Sequence, residues 1–355
     1  MYTREIQTPR SGPVENGIPI NGTWTQAFED VDLLSIQRPF EKPVPSWIQT
    51  KVWVNWRIKE WESFAVQDDH FFLDAILINL KYYRAAQVFL YDKETGELMR
   101  FRKLLPFSGW HLPRSLSNAA IESRSYGFLF RIHDWLDADS VRVDIDIEAT
   151  RKRPSFTAHL TYDLAKKAVT PLAVNLLFSE RRCMYAYKAV AAVRGDMVFG
   201  GKHITLDPEK TTGIFCDFKG LYPYRMRSVW CTSFGIHPET KQRIGFSLAE
   251  NQTRETFKNN ENALWVAGKL TPLPPVRITM PKGIDADWVI QDLEGMVDLT
   301  FTPQKSVRNF ASLIITRAED DIPLGYYNGM LVDANGEQIP IHNMWGMGEK
   351  LYLRV

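Results

Sequence analysis

Cysteine is scarce in this sequence, with three residues, Cys183, Cys216 and Cys231, in a chain of 355. Three is an odd number, and no two of them have Cys-x-x-Cys spacing, so neither a disulfide framework nor a cysteine-based zinc site is predicted. The histidines are scattered and form no His-x-His or His-Glu-x-x-His pair. We therefore expect no bound metal.

Phosphate-binding and nucleophile motifs are also missing. No Gly-x-Gly-x-x-Gly follows an apolar strand and no Gly-x-x-x-x-Gly-Lys-Ser/Thr occurs, so the sequence predicts no nucleotide cofactor. A Gly-x-Ser-x-Gly nucleophile elbow is absent as well. The net charge is +1, which gives no sign of a polyanion-binding surface. We expect neither a cofactor nor a nucleic-acid partner.

Long apolar runs are absent too. No stretch approaches the roughly 18 residues that a membrane-spanning helix requires. The opening segment MYTREIQTPR has no apolar core of the kind found in signal peptides. The sequence therefore predicts a protein without transmembrane segments that stays in the cytoplasm.

Aromatic residues, by contrast, are plentiful, with 11 Trp, 13 Tyr and 20 Phe. Aromatics favour strands and also line apolar pockets. Short alternating segments recur along the chain; in the clearest, Val141, Val143, Ile145 and Ile147 share one face. The run Asp333-Ala334-Asn335-Gly336 is a strong hairpin signal. Many short strands with frequent turns indicate an all-β protein built from barrels or sandwiches.

Two further features concern the local structure and the division of the chain. Residues Val52 to Ile58 alternate and predict a strand, whereas helical patterns are confined to short pieces near 26–34 and 117–123.

The charged segment Ser179 to Arg182 interrupts the series of strands. We expect two domains, residues 1–180 and 181–355.

A set of segments in the C-terminal half carries a family resemblance. Asp217 ends an apolar run and is followed by Gly220 and Trp230, and then by GFSLAENQT, NENALWVAGKL and GYYNGMLVDANGEQIPI. In this order they resemble the uncharacterised domain-of-unknown-function family number twenty-eight-oh-four. That family is distantly similar to the carotenoid hydratase and AttH-like group. The resemblance implies two tandem antiparallel lipocalin-like, or calycin-like, β-barrels, a fold in which a small barrel can hold one apolar ligand.

Asp217 is the first candidate for a catalytic residue. Its neighbours are apolar, so its pKa should be raised, as suits a general acid that protonates an alkene or a carbonyl group. The resemblance also implies that Asp217 is the acid and that Trp230 shapes the pocket. The alternative is that Asp217 starts a tight turn with Lys219 and Gly220 and bonds to nearby backbone N–H groups.

Other candidates occupy two acid–amide pairs and their surroundings. Glu261 is a second candidate catalytic residue, since a Glu can act as a base. The candidate ligand-binding residues are Trp230, Glu250, Asn251, Asn262, Trp265 and His342. An Asn can orient the polar end of a ligand. The alternative is a loop whose ends are held by hydrogen bonds between side chains and backbone.

Together these residues predict an apolar small-molecule ligand of the lipid or terpenoid type. The first functional hypothesis is an enzyme that acts on this ligand as a hydratase, isomerase or cyclase by acid catalysis. A non-enzymatic binding protein for such a molecule is the first alternative. A carbohydrate-binding or structural protein is the second.

Overall fold

The structure is a computed structural model that describes residues 2–40, 45, 48, 50–105, 112–151, 153–312 and 316–354. It is almost entirely β, with 59% of residues in strands and 4% in helices. The strands form two large curled antiparallel half-barrels, one after the other along the chain. This confirms the predicted all-β, tandem calycin-like architecture.

The part of the chain from residue 14 to residue 221 forms the first sheet and, separate from it, a two-stranded sheet made of its first two strands. Its elements are β1 (Val14–Glu15), β2 (Ile18–Pro19), β3 (Gly22–Trp24), α1 (Lys51–Arg57), β4 (Ile58–Gln67), β5 (Phe71–Asn79), β6 (Arg84–Asp92), β7 (Leu98–Leu104), β8 (Ala119–Ser125), β9 (Phe128–Trp135), β10 (Ser140–Ile147), β11 (Phe156–Asp163), β12 (Leu172–Leu177), β13 (Cys183–Phe199), β14 (Lys202–Leu206) and β15 (Thr212–Leu221). Single 3₁₀ turns lie at Leu33–Ser35 and Leu136–Ala138.

The remaining strands form the second sheet. They are β16 (Arg225–Ile236), β17 (Arg243–Glu250), β18 (Ala263–Val266), β19 (Lys269–Pro272), β20 (Val276–Thr279), β21 (Trp288–Asp292), β22 (Val297–Ser312), β23 (Arg317–Val332) and β24 (Gln338–Arg354). The predicted hairpin at Asp333–Gly336 joins β23 to β24, and Gly336 has the positive φ of 82° that such a turn requires.

The strand order shows how the sheets are built. The first sheet runs β7-β6-β5-β4-β15-β13-β11-β10-β9-β8, with β12 and β14 paired to β13 and β3 paired to β12. The second runs β19-β18-β17-β16-β24-β23-β22-β21-β20. Strand β15, from late in the sequence, pairs with β4 near the middle of the first sheet. The first sheet is therefore completed only when the chain has passed residue 212.

The change from one sheet to the other lies between Leu221 and Arg225, later than the boundary expected near residue 180. The charged segment at 179–182 is instead the turn between β12 and β13, which pair with each other in the first sheet. The charges mark a solvated turn there and not the end of a sheet. A division of the chain into two separately folding domains stays a prediction.

The segment from Val52 to Ile58 differs from its predicted strand, because residues 51–57 form helix α1. Val54 in the helix and Ile58, the residue directly after it, are buried, while Val52 and Trp56 are exposed. Residues four apart share a helix face, so both pairs fit a helix as well as an alternating strand. The helical piece expected near 117–123 is likewise wrong, since strand β8 covers most of it.

Alternation along the strands separates two layers of core. One face of the first sheet lines its own interior, with Phe64, Phe130 and Phe215. The opposite face carries Phe72, Phe218 and their neighbours and packs against the second sheet. We call this layer between the two sheets the seam. The second half-barrel has its own interior, a hydrophobic cluster around Trp288, Phe301 and Tyr327.

Within the described parts of the chain, no helix is both long and apolar enough to span a membrane.

Candidate functional site

The seam contains an apolar cavity of about 70 Å³, which we call the seam cavity. Strands β5 to β7 of the first sheet form one wall and β22 to β24 of the second sheet form the other, with Trp61 of β4 between them. The lining residues are Trp61, Ile76, Ile78, Leu80, Tyr83, Gln87, Arg102, Asn309, Phe310, Ala311, Ala318, Asp320, Glu349, Leu351 and Leu353. Most of these side chains are apolar, so the carboxyl groups of Asp320 and Glu349 stand out.

These two carboxyl groups form a hydrogen-bonded pair. Burial raises the pKa of Glu349 well above its ordinary value, and the neighbouring Asp320, which hydrogen-bonds to it, raises it further. Burial also raises the pKa of Asp320 to about 6, although a hydrogen bond from Asn309 Nδ2 at 3.0 Å opposes the shift. Both causes favour the protonated form of Glu349, and that form can donate a hydrogen bond to Asp320.

A smaller compartment of about 30 Å³ adjoins the seam cavity and shares Trp61, Glu349 and Leu351 with it. Its remaining lining residues are Met184, Phe218, Met226, Ser228, Trp230, Ala249 and Glu261. We call it the inner compartment. Glu349 thus faces the apolar seam cavity on one side and a compartment that contains Glu261 on the other.

Glu261 accepts hydrogen bonds from two donors. Lys188 Nζ donates to Oε2 at 2.7 Å, and Asn251 Nδ2 donates to Oε1 at 2.7 Å. Lys188 also donates to Ser247 Oγ at 2.8 Å, and this hydroxyl accepts from Trp230 Nε1 at 2.7 Å. Lys188, Ser247 and Trp230 are buried and Asn251 is half-buried, so the ion pair and these hydrogen bonds form one network largely shielded from water.

Aromatic rings complete the setting of Lys188. Its ammonium group lies 5.3 Å from the centre of the Phe218 ring and 5.4 Å from that of Trp230. Both distances are within cation–π range. Trp61 stacks on Phe218 with ring centres 5.1 Å apart. The aromatic rings therefore help to hold the ammonium group of Lys188 in the position from which it binds Glu261.

The site contains two acids in contrasting surroundings. Glu349 lies in apolar surroundings beside another acid, and both raise its pKa. Glu261 forms an ion pair with a lysine and accepts a hydrogen bond from an amide. Pairs of carboxyl groups whose environments favour opposite protonation states are the usual arrangement for a general acid and a general base. The described residues contain no group of three or more His, Cys, Asp or Glu side chains that could hold a metal ion.

The other sequence candidates divide into neighbours of this site and structural residues. Trp230, Glu261 and Asn251 are brought together around Lys188. Asn262 is fully buried, accepts from the backbone N–H of Ala249 at 2.7 Å and donates to the carbonyl oxygen of Pro274 at 2.8 Å. These bonds match the alternative interpretation, in which an amide holds the ends of a loop.

Glu250 and Trp265 also have structural partners. Glu250 accepts from Arg277 and from the backbone N–H of Ile278 at 2.8 Å, which ties the end of β17 to β20. Trp265 is fully buried, and its Nε1 donates to the carbonyl oxygen of Thr170 at 2.9 Å. Neither residue lines the seam cavity or the inner compartment. Their expected ligand-binding role stays a prediction.

His342 lies elsewhere, on the rim of a larger cavity of about 710 Å³ at the opposite end of the seam. We call this the distal cavity. Its lining includes Phe234, Tyr326 and Trp345 as well as the polar side chains of Gln67 and Lys93.

Asp217 lies in the middle of β15, so the alternative in which it starts a turn is wrong. Its side chain is fully buried and forms an ion pair with Lys219. Burial raises its pKa above the ordinary value, and the charge of Lys219 opposes that shift. The raised pKa agrees with the prediction. However, Asp217 alternates with Cys216 and Phe218, which face the seam, and so it points into the first half-barrel.

The catalytic role expected for Asp217 stays a prediction, but its neighbours are now defined. In register it lies between Glu62 of β4 and Tyr187 of β13. Neither oxygen of Glu62, neither oxygen of Asp134, nor Oδ2 of Asp217 has a hydrogen-bond partner among the described residues. Burial, followed by the charges of Asp134 and Asp217, raises the pKa of Glu62 well above its ordinary value.

Sequence reasoning missed Glu349, Asp320 and Lys188. Their signal was present, because each polar residue replaces an apolar one on an alternating face. Met347, Glu349, Leu351 and Leu353 share a face of β24, and Ala318, Asp320, Ile322 and Leu324 share a face of β23. An acid in such a series is a candidate for a buried, functional carboxyl group.

A family model described as "Domain of unknown function (DUF2804)" matches residues 4–354, nearly the whole chain. The family resemblance seen in the sequence is thereby confirmed. No curated protein matches the chain significantly.

Among solved structures, the backbone is similar to that of kievitone hydratase from Nectria haematococca, with 12% identity, a TM-score of 0.44 and coverage of 83% of this chain and 87% of that one. It is similar at a much lower level to CdiB from Acinetobacter baumannii, with 7% identity, a TM-score of 0.19 and coverage of 83% and 59%. A third match is OccK5 (OpdH) from Pseudomonas aeruginosa, with 10% identity, a TM-score of 0.16 and coverage of 83% and 97%. Similarity at these levels does not carry an activity from one protein to another.

Proposed function

The chain belongs to the family described as Domain of unknown function (DUF2804), and for this member we propose acid–base catalysis on an apolar small molecule bound in the seam cavity. The reaction class is hydration of a double bond or its reverse, with isomerisation or cyclisation as variants that use the same proton donor. Glu349 is the proposed general acid and Glu261 the proposed general base.

The observation that carries the proposal is the position of Glu349, a carboxyl group with a raised pKa, at the edge of an apolar cavity. A carboxylic acid that stays protonated at neutral pH can donate a proton to an alkene carbon or a carbonyl oxygen. Asp320 supports this role because its charge disfavours ionisation of Glu349. Leu351 and Leu353 follow Glu349 on the same face of β24 and provide the apolar surface for a substrate.

Glu261 is the proposed base that accepts a proton from the attacking water. The inner compartment has about 30 Å³, which is enough for one water molecule. A water between Ser228, Glu261 and Glu349 would have the polar partners that a buried water needs. In hydration, Glu349 gives its proton to one carbon of the double bond, water attacks the other carbon, and Glu261 accepts a proton from that water.

The position of Trp61 also agrees with protonation of an alkene by Glu349. Protonation of an alkene creates positive charge on carbon, and the face of an aromatic ring stabilises a cation within about 6 Å. Trp61 lines both the seam cavity and the inner compartment, so a substrate that spans the two would pass over its ring.

A non-enzymatic binding protein is the second candidate, favoured by the apolar walls alone. Carbohydrate binding fits less well, because Ile76, Ile78 and Leu80 offer no hydrogen bonds to a sugar. Enzyme and binder differ in what happens to the bound molecule, and an isotope experiment separates them.

The test begins with the protein purified from cells and extracted with organic solvent. Mass spectrometry of the extract should find an apolar compound with the wild-type protein. The compound should be missing with Ala318→Phe, which fills the seam cavity. The control is Ala120→Phe, a matched change at an exposed position on β8, which should retain the compound.

The extracted compound is then returned to fresh protein in deuterium oxide and in water labelled with ¹⁸O. An enzyme should incorporate deuterium and, as a hydratase, ¹⁸O. Glu349→Gln and Glu261→Gln should each lower the rate by about 10²–10⁴-fold, the usual loss for a general acid or base. Recovery of an unlabelled compound would favour the binder, and retention of the compound by Ala318→Phe would contradict the site itself.

A further inference from the structure

The distal cavity, unlike the seam cavity, contains an amine. Lys93, one residue beyond β6, is half-buried in its lining. The Nζ atom donates to Gln67 Oε1 at 2.8 Å and to the carbonyl oxygen of Asp68. In the described residues, no carboxylate lies within ion-pair distance of this nitrogen. The ammonium group is therefore held by two uncharged oxygens.

Gln67 fixes the position of that amine. It is buried, with 3% of its surface exposed, and its Nε2 donates across the seam to the carbonyl oxygens of Phe234 and, at 2.8 Å, Trp345. The amide group can then present only its oxygen to Lys93. Both carbonyl partners belong to residues that also line the distal cavity, so the amine and the cavity wall are parts of one hydrogen-bonded unit.

Burial makes Lys93 lose its proton more readily than an exposed lysine does. Burial lowers the pKa of Lys93 to about 8, while the charges of Asp68 and Asp69 oppose that shift. The carboxylate of Asp68 is itself engaged, since Oδ1 accepts from the backbone N–H groups of His70 and Phe71 at 2.8 and 3.1 Å. A desolvated lysine without a carboxylate partner is the usual form of a nucleophilic amine.

The walls of the cavity define what could reach this amine. Trp345 stacks on Tyr91 with ring centres 4.5 Å apart and meets Tyr326 edge-on at 4.8 Å. Phe234, Tyr326 and Trp345 make an apolar floor, whereas the exposed rim has polar side chains, those of Glu209, Lys210, Lys241 and His342. A volume of about 710 Å³ is within the range of small-molecule sites. The cavity suits a small molecule with an apolar body.

From this geometry we infer a second site, separate from the proposed catalytic one, in which Lys93 forms a Schiff base with an aldehyde or ketone that has an aromatic or aliphatic body. The free amine adds to the carbonyl carbon, and its proton passes to the oxygen to give a carbinolamine. Loss of water then leaves the imine. No oxidant or reductant takes part in these steps.

Reductive trapping tests the inference on the intact protein. Phenylacetaldehyde and sodium cyanoborohydride are added at pH 7, and hydride from the reagent converts any imine into a stable secondary amine. Peptide mapping by mass spectrometry then gives the labelling rate of each lysine. Lys210 and Lys241, exposed on the rim of the same cavity, are the internal controls.

We expect Lys93 to be labelled at least about tenfold faster than either control, because a pKa near 8 leaves about a hundredfold more free amine at pH 7 than the ordinary lysine value. The labelling rate of Lys93 should level off above pH 8, while the rates of the controls continue to rise. Equal rates for the three lysines, or parallel pH profiles, would overturn a reactive amine.

A concentration series tests the cavity as distinct from the amine. The rate at Lys93 should saturate with phenylacetaldehyde and should not saturate with formaldehyde, which has no apolar body to bind. Linear dependence on both aldehydes would overturn the binding site. Lys93→Arg should abolish the fast labelling. Because the wild-type map already compares three lysines, the result stands even where this variant fails to fold.

Discussion

Glu349 and Asp320, on the neighbouring strands β24 and β23, hydrogen-bond to each other through their carboxyl groups at the polar end of an apolar cavity. Two acids in contact cannot both ionise at neutral pH without a large repulsion, so the pair retains one proton. The proposed chemistry needs such a proton next to an apolar surface. The seam between the half-barrels provides both, because the carboxyl pair and the apolar side chains line the same cavity there.

Asp320→Asn tests whether the charge of Asp320 raises the pKa of Glu349. The substitution removes the negative charge beside Glu349, and the pKa of Glu349 should fall, because burial and the more weakly acting charges of Asp74 and Glu261 are then all that oppose ionisation. Carboxyl ¹³C resonances followed through a pH titration measure the change. Asp321→Asn is the matched control: it alters the next residue, whose partner is Arg308. An unchanged titration of Glu349 in Asp320→Asn would show that the two carboxyl groups are not coupled.

Lys188→Met tests the importance of the buried ion pair to stability. Lys188 and Glu261 are nearly inaccessible, with side-chain exposures of 0% and 5%. Removing the lysine leaves a buried carboxylate without its main partner, which typically costs about 3–5 kcal/mol. The free energy of unfolding, from urea denaturation, should fall by that amount.

Arg277→Ala provides the exposed counterpart. Arg277 pairs with Glu250 but has 78% of its side chain exposed, and exposed pairs contribute about 0–1 kcal/mol. We also expect Lys188→Met combined with Glu261→Met to be more stable than Lys188→Met alone, since no unpaired charge remains. Equal losses for Lys188→Met and Arg277→Ala would contradict the buried position of the pair.

The acid cluster inside the first half-barrel predicts how stability depends on pH. Burial and neighbouring acids raise the pKa of Glu62 and of Asp134 in the folded state, so the folded protein binds more protons than the unfolded chain above about pH 4. The stability that these two groups contribute should therefore be fully present below about pH 4. It should decrease as the pH rises from about 4 toward their pKa values in the folded protein. The raised pKa values of Asp320 and Glu349 act in the same direction.

Glu62→Gln measures how much Glu62 contributes to this pH dependence of stability. Glutamine has no proton to retain, and its amide can donate to the unpartnered oxygens of Asp134 and Asp217. At pH 7 the variant should be more stable than the wild type by roughly 1–3 kcal/mol, with little difference near pH 4. Thermal unfolding across this pH range measures the effect, with the exposed Glu97→Gln as control. A variant less stable than the wild type at pH 7 would show that Glu62 is ionised and stabilising.

Sequence reasoning predicted the strands well where one face is buried and the other solvated. In β10 the alternation from Val141 to Ile147 leads directly to the observed strand, because side chains in a strand point to opposite faces. It failed at Val52–Ile58, where the same spacing also fits the helix that forms. Over such a short segment, only the packing of Val54 and Ile58 decides between the two.

The site was less predictable because its residues meet across the sheets. Lys188 and Glu261 are 73 positions apart, and nothing local indicates that β13 and the segment before β18 face the same seam. Gly220 was also misleading. It follows Lys219 as a turn glycine would, yet it lies within β15, where a Cβ atom would be 2.5 Å from the ring of Tyr222. The glycine permits close packing and does not make a turn.

Asp217→Asn tests the residue that the sequence favoured most. Since Asp217 pairs with Lys219 inside the first half-barrel, we expect the variant to lose stability, by about 1–2 kcal/mol. The loss should be modest, because the charges of Glu62 and Glu60 also favour the charged form of Lys219 and remain in place. Lys219→Met should cost more, about 3–5 kcal/mol, since it leaves several buried acids without their cation.

Turnover separates a structural from a catalytic Asp217. Its side chain points away from the seam, so Asp217→Asn should retain the compound extracted from the wild-type protein and should incorporate deuterium into it at a rate within about threefold of normal. Glu349→Gln, assayed beside it, should lose activity while retaining the compound. A loss of about 10²-fold or more in Asp217→Asn, with the compound still bound, would instead identify Asp217 as the proton donor. The proton would then have to reach the substrate from the interior of the first half-barrel, and the seam would not be the catalytic site.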